Sequence, residues 1–365
     1  MVARRLMSGP VLYLVPDLLG LPSGIARYSW LVCRALTEAG VTLNVLALLD
    51  DPAQALSMLR HQGCGGSRQA FVWQALRCAL RQRPLLIMVG HPHFAALGWL
   101  LGRLARARVI TWIYGIDAWT PLSAARRWGL RRSERIIAIS QYTARRALDV
   151  NKLPAEKIRI LQGCLDSQVI EQLPYARTTG APPNLLTVAR LSLAEQYKGH
   201  DRVIRALPAV LAQCPHVIYH IVGDGDWWPV LKQLAQQTGV SHAVHFHGRV
   251  SNEELKRRYA DASIFVMPST QEGFGFVFVE AMAYGVPAIG GNVDATPEII
   301  LNGQTGYCVD PASTEEIAAA VLRLLRDEAL RQQLGQQAAQ HVRDKFNFAR
   351  FQSQLLAYLR EVAPV

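Results

Sequence analysis

Two glutamates eight residues apart, Glu272 and Glu280, bracket a Gly-Phe-Gly turn in the run Ser269-Thr-Gln-Glu-Gly-Phe-Gly-Phe-Val-Phe-Val-Glu280. Carboxylates accept hydrogen bonds, and their natural partners in such a place are the hydroxyls of a sugar or a ribose. Ser-Ile-Phe-Val-Met-Pro at 263–268 reads as a short buried strand, and Val277–Tyr284 reads as a helix stopped by Gly285 and Pro287. A glycine-rich turn between strand and helix, Gly273 to Gly275 here, presents backbone N–H groups at the positive end of the helix dipole. That arrangement suits a diphosphate. The expected ligand is therefore a nucleotide-linked sugar.

Four further elements point at the same anion. Pro22-Ser-Gly-Ile-Ala-Arg27 follows an apolar run, and Gly24 would let the backbone approach a phosphate, although ordinary β–α turns also contain glycine. Arg190 at a strand end and Lys198 ahead of a helix together supply a guanidinium fork and an ammonium, the groups that neutralise a departing diphosphate. Asp224, in Ile221-Val-Gly-Asp-Gly-Asp226, either faces the nucleotide or closes a plain Asp-Gly turn. Backbone amides near Val250 in Phe246-His-Gly-Arg-Val-Ser251 are placed to read a base edge. In the first half, His91 and His93 resemble two metal ligands without a third, so no metal is expected. Asp117 either accepts a proton from an acceptor hydroxyl or caps the next helix.

The elements that must position these residues alternate strand with helix. Val11–Val15, Leu43–Leu48, Leu85–Val89, Val109–Tyr114 and Arg135–Ile139 are strand-like, with helical patterns at Ile25–Glu38, Phe71–Leu80 and Ala95–Arg106. The pattern restarts after a linker at 174–184 and runs to a long polar-faced helix over Thr314–Asp344. The fold class expected is α/β, with two Rossmann-like domains, 1–173 and 185–345, facing across a cleft. A helix within 346–365 returns to the first domain.

Half of the 365 residues are hydrophobic, enough for two cores, and the six cysteines are scattered without a Cys-x-x-Cys pair. No apolar run reaches membrane-spanning length. Residues 1–180 carry a net charge of +13 and residues 181–365 one of −2. A basic first half implies an anionic partner. The arginines Arg126, Arg127, Arg131 and Arg132, interrupted by Trp128, read as an interfacial segment for anionic lipid or as a solvated helix face. A nucleic-acid partner is not expected, because no basic-plus-aromatic recognition module is present.

Glu272-Gly-Phe-Gly-(x4)-Glu280-Ala-Met-Ala is similar to the E-x7-E motif of GT-B-fold retaining glycosyltransferases of family 4. The resemblance extends to Gly24-Ile-Ala-Arg-Tyr28, Arg190-Leu…Lys198-Gly-His-Asp201, Gly223-Asp-Gly225 and Pro297-Glu-Ile-Ile. It implies that Glu280 binds the ribose and Glu272 the transferred sugar, while the amides of Phe274, Gly275, Phe276 and Val277 meet the donor. It further implies that Arg190 and Lys198 stabilise the leaving diphosphate without a metal or other cofactor, and that Gly24 lets the first loop approach it. The family often has a histidine in the motif that here reads Tyr114-Gly-Ile-Asp117, which leaves His91, His93, Tyr114 and Asp117 as candidates for sugar or acceptor contacts. Phe276-Val-Phe-Val resembles mannosyl members. The expectation is hexosyl transfer, best matched by GDP-mannose, to a lipid-linked or oligosaccharide acceptor in surface polysaccharide assembly. The enzyme would be cytoplasmic and peripheral at the inner membrane face. A sugar-nucleotide epimerase on the same fold and a non-catalytic nucleic-acid binder are the alternatives.

Overall fold

Val11-Leu-Tyr-Leu-Val15 has no charged residue along its length, a pattern suited to a parallel strand covered on both faces. In the computed structural model, which describes residues 9–19, 23–54, 56, 59–165 and 183–362, this run is β1 and is buried throughout. It is followed by β2 (Leu43–Ala47), β3 (Arg60–Gly63), β4 (Leu86–Val89), β5 (Arg108–Ile113), β6 (Arg135–Ala138) and β7 (Ile158–Ile160). These form one parallel sheet in the order β3-β2-β1-β4-β5-β6-β7. The connecting helices are α1 (Gly24–Glu38), α2 (Arg68–Gln82), α3 (Ala95–Ala105), α4 (Ile116–Trp119), α5 (Ala124–Arg132) and α6 (Gln141–Asn151). Ser23, Ser67 and Ser140 start three of them by accepting the N–H groups of Ala26, Ala70 and Thr143 at 3.0, 3.2 and 3.1 Å.

A second parallel sheet is built from β8 (Asn184–Val188), β9 (Ile218–Val222), β10 (Val244–Phe246), β11 (Ile264–Met267), β12 (Ala288–Gly291) and β13 (Gly306–Val309). Its order is β10-β9-β8-β11-β12-β13. Its helices are α7 (His200–Leu211), α8 (Trp228–Gln237), α9 (Asn252–Asp261), α10 (Phe276–Ala283), α11 (Thr314–Arg326) and α12 (Glu328–Lys345), and α13 (Phe348–Val362) ends the described chain. In each sheet the strand order reverses next to the first strand, at β1/β4 and at β8/β11. Loops leaving such a pair of strands turn to opposite faces and open a crevice at the carboxyl ends, the usual ligand position in this architecture.

The chain divides into two units, residues 1–164 with 348–365, and residues 165–347. The last helix belongs to the first unit. Phe351 meets Tyr28 edge-on at 5.5 Å, Gln352 Nε2 donates to Ala35 O at 2.9 Å, and Tyr358 Oη donates to Ile160 O at 3.0 Å. Each large apolar side chain that α13 buries, among them Phe351, Leu355 and Leu359, contributes about 2 kcal/mol.

Several local expectations change. The single helix expected over Thr314–Asp344 is two, because Asp327 breaks it and accepts the Leu330 N–H at 2.9 Å as the cap of α12. Strand β3 is polar and half of its residues are exposed, so its sequence gives no strand pattern. Phe346, expected in the returning segment, packs within the second unit against Phe274 at 5.7 Å. Most of the linker expected at 174–184 lies outside the described residues, as does Pro22.

Candidate active site

At the β8/β11 reversal, Lys198 Nζ forms an ion pair with Glu272 Oε1, joining residues 74 apart in sequence. Both side chains are nearly buried, at 17% and 9% exposed. Burial works against the lysine ammonium, but the Glu272 carboxylate outweighs it and holds the Lys198 pKa above its ordinary value. The short 3₁₀ segment Leu193–Lys198 delivers the lysine, and the Thr270 N–H donates to Tyr197 O at 3.0 Å, tying that segment to the loop after β11. Arg190 follows β8 and pairs with Glu195, not with Glu272, and its side chain is 61% exposed. Lys198, Glu195, Glu272 and Arg190 all act on the Tyr197 phenol, whose pKa burial raises, so the two ion pairs lie around one ring.

Gly223-Asp-Gly225 sets the backbone beneath Arg190. Gly223 has φ +143°, and a Cβ there would fall 1.8 Å from Ala189 O, so only glycine lets the two loops touch. The Leu191 N–H donates to Asp224 O at 3.0 Å. The Asp224 carboxylate closes its own turn on the Gly225 N–H at 2.8 Å, a structural use of a side chain expected near the nucleotide. Val250 is half-buried in the loop after β10, just ahead of Ser251, which caps α9.

Gly275, at φ +89°, turns the chain into α10 beside the Glu272 carboxylate. A helix's first amides lack intrahelical acceptors, so Gly275, Phe276 and Val277 begin α10 with N–H groups suited to an anion. The Phe274 and Phe276 rings themselves are buried and meet edge-on at 5.0 Å, which leaves only backbone for ligand contact. Glu280 lies farther along α10, where its Oε2 accepts the Tyr259 hydroxyl at 2.7 Å. The crevice thus gathers Arg190, Lys198, Glu272 and Gly275, and Glu280 lies on the helix that Gly275 starts.

One residue here escaped the sequence. Asp294, 4% exposed, accepts the Glu272 N–H at 2.7 Å through Oδ2 and the Thr296 N–H at 2.9 Å through Oδ1. Burial, then the Glu272 charge, pushes its pKa up to about 6. A lone aspartate in a loop carries no motif, so no signal would have found it.

In the first unit, Gly24 opens α1 and is exposed. His91 Nδ1 accepts the His93 N–H at 3.2 Å, and burial, then His93 and Arg126, push its pKa down to about 3. His93 is exposed, and burial, then Arg126 and Arg68, lower its pKa. Among the described residues no group of three His, Cys, Asp or Glu side chains is arranged to hold a metal. One expectation needs correcting. Tyr114 is a core residue, edge-on to Tyr28 at 5.4 Å, and so is poorly placed for sugar contact. The Asp117 carboxylate accepts the Tyr114 N–H at 3.1 Å and the Gly115 N–H, clamping the loop backbone. Burial raises its pKa to about 6 against those bonds.

The basic segment also divides. Arg131 donates to Lys152 O at 2.8 Å, completing the end of α6, and Arg126 acts on His91 and His93. Arg127 is half-buried, Arg132 stacks over Trp128 at 4.2 Å, and Trp128 meets Trp99 edge-on at 4.2 Å.

Residues 177–341 match the family model for glycosyl transferases group 1, and residues 22–169 match that for glycosyltransferase family 4. A GDP-mannose-dependent alpha-(1-6)-phosphatidylinositol monomannoside mannosyltransferase of Mycobacterium tuberculosis is 31% identical over 278 residues, covering 71% of each chain. An N-acetyl-alpha-D-glucosaminyl L-malate synthase of Bacillus anthracis is 26% identical, covering 72% of each. The crystal structure of Anabaena HepE in complex with UDP superposes with a TM-score of 0.81 at 19% identity, covering 97% of this chain and all of that one, a likeness of fold. The chain belongs to the group 1, family 4 glycosyltransferases, enzymes of the GT-B fold.

Proposed function

We propose that this glycosyltransferase moves a hexose, mannose from GDP-mannose, onto a lipid-linked or glycan acceptor in surface polysaccharide assembly, with retention of anomeric configuration. The observation that carries the reading is the buried Lys198–Glu272 pair beside the Gly275 turn at the β8/β11 crevice. An ammonium, a nearby guanidinium and helix amides neutralise a leaving diphosphate, while the carboxylate that holds the ammonium accepts hydroxyls of the sugar. Two cations in the protein take the part a divalent ion plays elsewhere, so the reaction proceeds without metal. In a front-face displacement the acceptor oxygen bonds to the anomeric carbon as the phosphate oxygen departs on the same side and takes the acceptor's proton. No protein nucleophile is needed, and catalysis rests on positioning and charge. The mannosyl donor is favoured by the 31% identity to a relative named for GDP-mannose.

The basic first unit rests on anionic lipid in this reading. Between Asp51 and Asp117 the sequence has eight arginines and no acidic residue. Helix α2 lies beside α3, and α3 beside α5. Outward from α2 and α3 stand Val72, Trp73, Leu80, Leu100 and Leu104, with Trp73 at 57% exposure, and Arg68, Arg77, Arg81 and Arg103 are also on these helices. Apolar side chains among arginines match an anionic bilayer surface. Among the described residues no helix is long and apolar enough to cross a membrane.

The test is a screen of GDP-mannose, UDP-glucose and UDP-N-acetylglucosamine by thermal shift with EDTA present, followed by proton NMR of the product anomer. Stabilisation by GDP-mannose and an α-linked product are expected. Stabilisation by none of the three, or an inverted product, would overturn the reading.

A further inference from the structure

We infer that Asp294 is the positioning residue for Glu272, holding its peptide so that its carboxylate stays against Lys198 and the transferring sugar. The inference deepens the proposed donor site and rests on that reading. Glu272 is gripped twice from the loop after β12. Its N–H donates to Asp294 Oδ2 at 2.7 Å, and its carbonyl accepts the Ala295 N–H at 3.1 Å. The other Asp294 oxygen is fixed by the Thr296 N–H, so the carboxylate bridges two loops with both oxygens. The same loops touch again where a Cβ on Gly291 would fall 2.0 Å from Ser269 O. A residue that sets the register of these loops sets where the Glu272 side chain begins.

The choice of an aspartate matters because its two carboxylate oxygens accept two amides at once. An asparagine of the same shape accepts with its oxygen and offers an N–H₂ to the second amide, donor against donor. The groups facing Asp294 are Glu272 from the loop after β11, the Thr296 amide from its own loop and Cys308 on β13. Burial, then the Asp294 charge, pushes the Cys308 thiol up to about 12. Among the described residues no cation is paired with Asp294, and hydrogen bonds hold its anionic form. Protonation would turn one acceptor oxygen into a donor and release an amide. That change falls near pH 6, inside a range where transfer can be measured.

The experiment measures release of nucleoside diphosphate from whichever of GDP-mannose, UDP-glucose and UDP-N-acetylglucosamine the wild type turns over fastest, between pH 5 and 8. Asp294→Asn is expected to lower kcat by about 10- to 100-fold with donor KM changed less than about threefold, the pattern of a misplaced reacting group. Wild-type kcat is expected to fall below about pH 6, and that acid limb to be absent in Asp294→Asn. A variant kcat within about twofold of wild type, or an acid limb that survives the substitution, would overturn the assignment. A wild-type profile flat down to pH 5 would overturn it whether or not the variant folds. Glu272→Gln is the control that separates the two ideas. Full activity in Glu272→Gln sinks the donor site itself, whereas a crippled Glu272→Gln beside a normal Asp294→Asn sinks only the positioning role.

Discussion

Replacing Lys198 by alanine should destabilise the second unit more than its lost contacts alone account for. The lysine is the partner of a carboxylate only 9% exposed, and Asp294 accepts from that residue's own amide. Removing one member of a fully buried pair costs about 3–5 kcal/mol, because the other charge stays in place without compensation. Lys198 retains some access to water, so the lower end applies, about 3 kcal/mol. For a unit of roughly 180 residues that corresponds to a Tm lower by about 6–12 °C. Adding Glu272→Gln removes the uncompensated charge, and the double variant should recover at least about 1 kcal/mol relative to the sum of the two single losses. Scanning calorimetry of the full chain reads the transition for all four proteins. Additivity of the single losses within about 0.5 kcal/mol would show that the two side chains do not act as a pair, and would refute the reasoning.

Three other outcomes are expected. Gly275→Ala puts a Cβ 2.6 Å from the buried Phe278 ring at φ +89°, so transfer should drop by at least about tenfold, and a kinetically normal variant would show that this turn does not shape the site. His200 is fully buried with neither ring nitrogen hydrogen-bonded among the described residues, and burial, then Lys198, pushes its pKa down to about 3. The unfolded chain takes up this proton near pH 6.5 and the folded chain does not, so stability present above that pH is lost as pH falls. Asp117 and Asp294 act in the opposite sense, but their contribution cancels when wild type is compared with His200→Phe. Between pH 7 and 5 urea titration should therefore show His200→Phe losing about 2 kcal/mol less than wild type, and parallel losses would contradict the assignment. Trp73→Ser with Leu80→Ser, both on the exposed side of α2, should weaken sedimentation with phosphatidylglycerol vesicles by roughly tenfold and leave nucleotide binding unchanged; undiminished sedimentation would remove α2 from the lipid surface.

The sequence makes the two sheets readable because parallel strands buried on both faces are continuous apolar runs, as in Val11–Val15 and Ile264–Met267. It hides β3, whose Arg-His-Gln-Gly sits at an edge where solvent imposes no apolar pattern. The break at Asp327 between α11 and α12 was carried by a capping aspartate that a polar-faced helical pattern conceals. Residue types at the site were legible in the E-x7-E run. Their partners were not, because Lys198–Glu272 and Glu272–Asp294 join residues brought together only by sheet order. Tyr114 shows the converse. Its place in a strand-end motif suggested a ligand contact, while the packing of Tyr28 on its ring makes it core.

The central claim, that Lys198 and the start of α10 grip a nucleoside diphosphate, is tested most directly by calorimetric titration of GDP and UDP into wild type and Lys198→Ala. Micromolar binding of at least one nucleotide to wild type is expected, weakened by at least about tenfold in the variant, the size of one charge-assisted contact. Equal affinity in the two proteins, or binding of neither nucleotide to wild type, would contradict it.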